Sequence, residues 1–133
     1  MPRVLIADDE DSMRTLVARA IAMDGHEVVQ TADGGEALDV LTREQGRFEL
    51  LLTDIRMPVM DGIALALAAA RDHPNVTILL MTGYADQRER ASGLSTLIHD
   101  VVTKPFTLAT SRAAVNDALA AGSCRKPVGI SSP

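Results

Sequence analysis

Five short apolar runs punctuate the chain, each broken by polar residues and separated from the next by a stretch of helical spacing. The first, Val4-Leu5-Ile6-Ala7, stops at Asp8-Asp9-Glu10-Asp11. Met13, Leu16, Val17, Ala20 and Ile21 then fall three or four apart, predicting a helix that Asp11 or Ser12 can cap and that ends near Asp24, before Gly25. Residues 26–31, with β-branched Val28 and Val29, predict a second strand. Asp33-Gly34-Gly35 reads as a loop before a second helix carrying Ala37, Leu38, Val40 and Leu41 and stopping at Gly46. Leu50-Leu51-Leu52-Thr53-Asp54 is a third strand ending in a carboxylate, and Met57-Pro58 and Asp61-Gly62 turn the backbone behind it.

The second half repeats the alternation. Residues 63–71, rich in Ala and Leu, predict a helix broken at His73-Pro74-Asn75, and residues 76–81 a strand ending in Thr82-Gly83. Residues 85–97 form the weakest helical segment, because Gln87-Arg88-Glu89-Arg90 is polar and Gly93 interrupts it. Asp100-Val101-Val102-Thr103 is the fifth strand, and Lys104-Pro105-Phe106 follows it. A last helix over 108–121 presents Ala113, Val115, Ala118 and Leu119 and stops at Gly122-Ser123. Residues 122–133 then read as a disordered tail behind a single domain over 1–121.

Strands alternating with helices five times predict a doubly wound α/β domain around a parallel sheet. In such a sheet ligands bind beyond the carboxyl ends of the strands. Four strand ends carry chemistry: Asp8 and Asp9, then Asp54, Thr82 and Lys104. Clustered carboxylates repel one another unless a cation neutralises them, and oxygen donors without sulfur or imidazole favour a hard ion, Mg²⁺. Glu10 and Asp11 instead suit the positive end of the following helix.

Composition narrows the field. Of 133 residues 47% are hydrophobic but only 2% aromatic, so the core is built from aliphatic side chains and Met, and an aromatic platform for bases is excluded. A formal charge of -5, with no basic run longer than Arg125-Lys126, argues against nucleic-acid binding. Cys124 stands alone, so no intramolecular disulfide or thiolate metal cluster is expected. No signal-peptide pattern or membrane-length apolar run is read, giving the expectation of a soluble cytoplasmic chain. His26, His73 and His99 lie at turns or strand starts and read as surface residues, while Met57, Met60 and Met81 read as packing.

A bound divalent ion, an available carboxylate, a hydroxyl and an ammonium are the parts needed to move a phosphoryl group onto Asp54. Asp8-Asp9, Asp54, Met57-Pro58, Asp61-Gly62, Thr82 and Lys104-Pro105-Phe106, in this order and at strand ends, resemble the bacterial response-regulator receiver domain. The resemblance implies a flavodoxin-like five-stranded sheet of order 2-1-3-4-5 with five helices. It also implies phosphorylation of Asp54 by a histidine kinase or histidine phosphotransferase, and catalytic roles for Asp54, Thr82 and Lys104. Asp9, Asp54 and the Arg56 carbonyl would ligate Mg²⁺ directly and Asp8 through water, and the Lys104-Pro105 bond would be cis. Such a chain catalyses only its own phosphorylation and dephosphorylation and is a switch for a downstream protein.

Val101 stands where the family usually carries a rotating aromatic, leaving Tyr84 as the ring near that face. With the weak helix and no output domain, this resembles CpdR-type single-domain regulators, phosphorylation-gated adaptors for a protease. Two other readings compete. A phosphorelay intermediate would pass its phosphoryl group on to a histidine phosphotransferase. A Mg²⁺-dependent phosphohydrolase would place an Asp-x-Asp nucleophile on the first strand beneath a cap, but here that strand ends Asp8-Asp9-Glu10-Asp11 and no insertion could form a cap.

Overall fold

The computed structural model describes residues 2–82, 98, 100–103 and 108–131. Its elements are β1 (Arg3–Ala7), α1 (Asp11–Met23), β2 (Glu27–Thr31), α2 (Gly34–Arg43), β3 (Leu50–Asp54), α3 (Gly62–Asp72), β4 (Thr77–Thr82), β5 (Asp100–Thr103) and α4 (Leu108–Ser131). All strand pairs are parallel, and the order is β2-β1-β3-β4-β5. This is the flavodoxin-like doubly wound sheet. The helix expected over 85–97 lies outside the described residues, as do Tyr84, His99 and Lys104-Pro105-Phe106.

The continuous apolar runs follow from burial on both faces. Successive side chains of a strand point to opposite sides, so each run feeds two cores. Leu5, Ala7, Leu51, Ile78 and Leu80 pack with Ala37, Val40 and Leu41 of α2 and Leu65, Ala66 and Ala69 of α3. Val4, Ile6, Leu50, Leu52, Leu79 and Met81 pack with Val17, Ala18 and Ile21 of α1 and Val115 and Ala118 of α4. Met57 and Met60 pack against the first of these cores and Met81 is fully buried, all three as packing residues.

Register carries the strand ends to one edge. Ala7 pairs with Thr53, Asp54 with Met81 and Thr82 with Thr103, so Asp8, Asp54 and Thr82 emerge at neighbouring levels. At the opposite edge Arg3 gathers charge: its guanidinium bonds Glu27, Glu44 Oε1 at 2.6 Å and the Arg47 carbonyl at 3.0 Å, and stacks 4.4 Å from the Phe48 ring centre.

Three local expectations are corrected. Helix α1 is capped by neither Asp11 nor Ser12. Glu10 occupies the cap position without a side-chain capping bond, and the Asp11 carboxylate is instead drawn 2.5 Å from Arg14. Helix α2 begins at Gly34 rather than beyond Gly35. The Asp33 carboxylate accepts from the Glu36 amide at 2.8 Å and Glu36 reaches back to the Ala32 amide at 3.1 Å, and this capping outweighs the poor helix propensity of two glycines. The last helix does not stop at Gly122-Ser123 but continues to Ser131. That extension runs through Gly122, Pro127 and Gly129, which disfavour a helix interior, and nothing in the structure explains its persistence there.

His26 and His73 are half-buried rather than on the surface, and His26 Nε2 lies 3.0 Å from Asn116 Oδ1. The same corner ties α1 to α4. Arg112 donates to both Asp24 oxygens, at 2.5 and 3.1 Å, and Asn116 Nδ2 to Oδ2 at 3.0 Å. These bonds, Arg112 first, lower the Asp24 pKa from 3.8 to about 2.

A carboxyl group whose pKa is lowered by folding stabilises the fold above its unfolded pKa, and the contribution disappears as pH falls through the folded value. Wild type is therefore expected to lose stability between pH 3.8 and about 2 by a component that Asp24→Asn lacks. Thermal unfolding of the two proteins across that range checks this: their difference should shrink with acidification and be largest near neutral pH.

Candidate functional site

The carboxylates of Asp8, Asp9 and Asp54 converge at the carboxyl edge of the sheet, with one oxygen from each lying within 4.8 Å of the others. Asp8 is fully buried and Asp54 is 8% exposed, whereas Asp9 is exposed. Two of three like charges thus sit out of water, an arrangement that mutual repulsion disfavours and a divalent cation would relieve. Oxygen donors of this kind suit Mg²⁺ or Ca²⁺.

Backbone amides orient the two buried acids. Asp54 Oδ1 accepts from the Ile55 amide at 2.9 Å, and Asp8 Oδ1 from the Glu10 amide at 3.0 Å. Arg14, whose part the sequence reading missed, donates to the Asp8 carbonyl at 2.7 Å and ties the turn between β1 and α1 to the helix. The opposite charges of Asp11 and Arg14, three residues apart, were the available signal for the ion pair, though not for the carbonyl contact.

Thr82 is fully buried at the end of β4, the strand beside β3, and is paired in register with Thr103 of β5. Lys104, expected to complete the pocket, lies outside the described residues. Arg56 is exposed in the loop after β3. Val101 is half-buried against the α2–α3 core.

The loop between β3 and α3 is tightly closed. Gly62 donates its amide to the Ile55 carbonyl at 2.7 Å, and Asp61 caps α3 by accepting from the Ala64 amide at 2.8 Å. Within the loop, the Met60 amide reaches the Pro58 carbonyl at 2.7 Å across Val59, whose φ is +69°. A three-residue turn with positive φ at its centre is the strained form, and a β-branched residue there is an outlier. Val59 is also 85% exposed, so burial does not compensate the strain.

A doubly wound parallel sheet of order 2-1-3-4-5 with carboxylates clustered at its carboxyl edge defines a flavodoxin-like α/β domain built around an acidic pocket. Residues 4–116 match the response regulator receiver domain, and the chain belongs to that family, the switches of two-component signal transduction. It is 37% identical over 108 residues to the response regulator receiver protein CpdR of Brucella abortus, covering 81% of this chain and 88% of that protein. The transcriptional regulatory protein PrrA of Mycobacterium tuberculosis is 32% identical over 108 residues; the match covers 81% of this chain but 46% of PrrA. Among solved structures, the response regulator TrrA of Thermotoga maritima, crystallised in complex with Mg²⁺ and BeF, is 28% identical with a TM-score of 0.77, covering 89% of this chain and 99% of that one. Among the described residues no helix is long and apolar enough to cross a membrane.

The strain at Val59 sets an expectation. Left-handed backbone costs a residue with a Cβ about 1–2 kcal/mol, and Asn tolerates it better. Val59→Asn is expected to raise stability by about 1 kcal/mol, read as a higher denaturant midpoint at unchanged slope.

Proposed function

We propose that the chain is a phosphoacceptor switch in which Asp54 takes a phosphoryl group from the histidine of a kinase or phosphotransferase. The observation that carries this reading is the convergence of Asp8, Asp9 and Asp54, two of them buried, beside Thr82. Receiver domains bind Mg²⁺ at an acidic pocket. Here Asp9, Asp54 and the Arg56 carbonyl would hold it directly and Asp8 through water. When bound, the ion would supply positive charge against the oxygens of the phosphoryl group.

The remaining roles belong to the chain. An oxygen of the Asp54 carboxylate attacks phosphorus as the phosphorus–nitrogen bond to the donor imidazole breaks, leaving an acyl phosphate on Asp54 and a free imidazole. The Ile55 amide keeps that carboxylate aimed outward from the strand end. Thr82 donates its hydroxyl to an equatorial phosphoryl oxygen, and Lys104 neutralises another.

A phosphoryl group adds about two negative charges at the strand ends, enough to bias a two-state element separated by a few kcal/mol. With Val101 in place of an aromatic, Thr82, Tyr84 and residues 85–97 carry the change to a protein partner, a protease in the CpdR-type reading. The chain then turns over no substrate besides its own phosphoryl group, and its seat is the cytoplasm.

Two measurements test this. Incubation with acetyl phosphate and Mg²⁺ should label wild type and leave Asp54→Asn unlabelled; equal labelling of both would place the acceptor elsewhere. Titration with Mg²⁺, followed by amide NMR shifts, should saturate in wild type and weaken by at least about tenfold in Asp9→Ala, the order of effect of losing a carboxylate from a hard-ion site.

A further inference from the structure

Helix α2 supplies no side chain to the acidic pocket, yet its first turn is in backbone contact with the loop that leads away from Asp54. Gly34 is buried, and a Cβ placed on it would lie 2.1 Å from the Met60 carbonyl oxygen and 2.9 Å from the carbonyl carbon. Backbone cannot swing aside as a side chain can. Gly35 differs: a Cβ there would meet Val59 Cγ1 at 2.8 Å, on a side chain exposed to solvent.

On the inner side of the loop, a Cβ on Gly62 would lie 2.0 Å from the Asp54 carbonyl oxygen. The loop is thus held between two glycine backbones, with Gly62 against β3 and Gly34 against Met60. It is a short ring, closed by the Gly62 to Ile55 bond and tightened by the turn at Val59. Displacement of Met60 has few torsions in which to dissipate before Arg56, four residues back.

We propose that Gly34 is a positioning residue for the acidic pocket: the absence of a side chain at the start of α2 sets the resting place of the Arg56–Met60 backbone, and with it the Arg56 carbonyl. This rests on the reading of that carbonyl as a metal ligand. The positive φ of Val59 lies in this same confined loop, pressed from one side by α2 and anchored on the other by Gly62.

Gly34→Ala and Gly35→Ala stand in the same helical turn and gain the same propensity, but only the first would press on backbone. Mg²⁺ affinity of each folded variant is measured by NMR titration, with metal-free amide shifts of residues 54–62 recorded beforehand. Gly34→Ala should shift those amides and weaken Mg²⁺ by about tenfold or more, as loss of outer support does at metal sites, while Gly35→Ala stays within about twofold of wild type. Combining Gly34→Ala with Val59→Gly, which frees the turn, should restore most of the lost affinity. Unmoved loop amides, or affinity in Gly34→Ala within about twofold of wild type, would overturn the proposal while leaving the metal site standing. Absence of Mg²⁺ binding in wild type itself would overturn the metal reading, and this assignment with it.

Discussion

Three carboxylates within 4.8 Å, two of them taken out of water, repel one another, and the surrounding structure is what keeps them together. Part of what holds them lies outside the pocket. Asp8 and Asp54 are continuations of β1 and β3, whose side chains are locked between two aliphatic layers, so separating the acids would mean sliding strands out of a close-packed core. Burial of Leu, Ile and Val thus opposes an electrostatic penalty several residues away. The amides of Ile55 and Glu10 and the guanidinium of Arg14 refine the aim.

Much of this was legible in the chain. Val4 to Ala7 and Leu50 to Leu52 are apolar at consecutive positions, as a strand covered on both faces requires, and the abrupt arrival of Asp8 and Asp54 marks the strand ends. Thr82 followed by the same logic at the end of β4. The edge strand β2 is half-exposed and was found by its β-branched residues rather than by continuous hydrophobicity.

What stayed hidden depended on contacts between distant segments or on local competition. The start of α2 is hidden because Gly34 and Gly35 are poor helix formers on their own, and the Asp33–Glu36 capping that overrules them is a property of the folded turn. The reach of Arg14 to the Asp8 carbonyl requires the chain to double back between β1 and α1. The partner of His26 is Asn116, ninety positions along, which periodicity does not report.

The charged knot around Arg3 lies a full strand away from the acids. Five residues of β1, at about 3.3 Å each, put roughly 17 Å between the two ends, against a screening length of about 8 Å at physiological ionic strength. Rewriting the charges near Glu27 and Glu44 therefore alters how firmly the sheet is fastened while scarcely changing the potential felt by an incoming anion. Robustness and responsiveness are separate design variables in this molecule: thermal tolerance can drift or be engineered at the lower rim while the upper rim keeps its tuning.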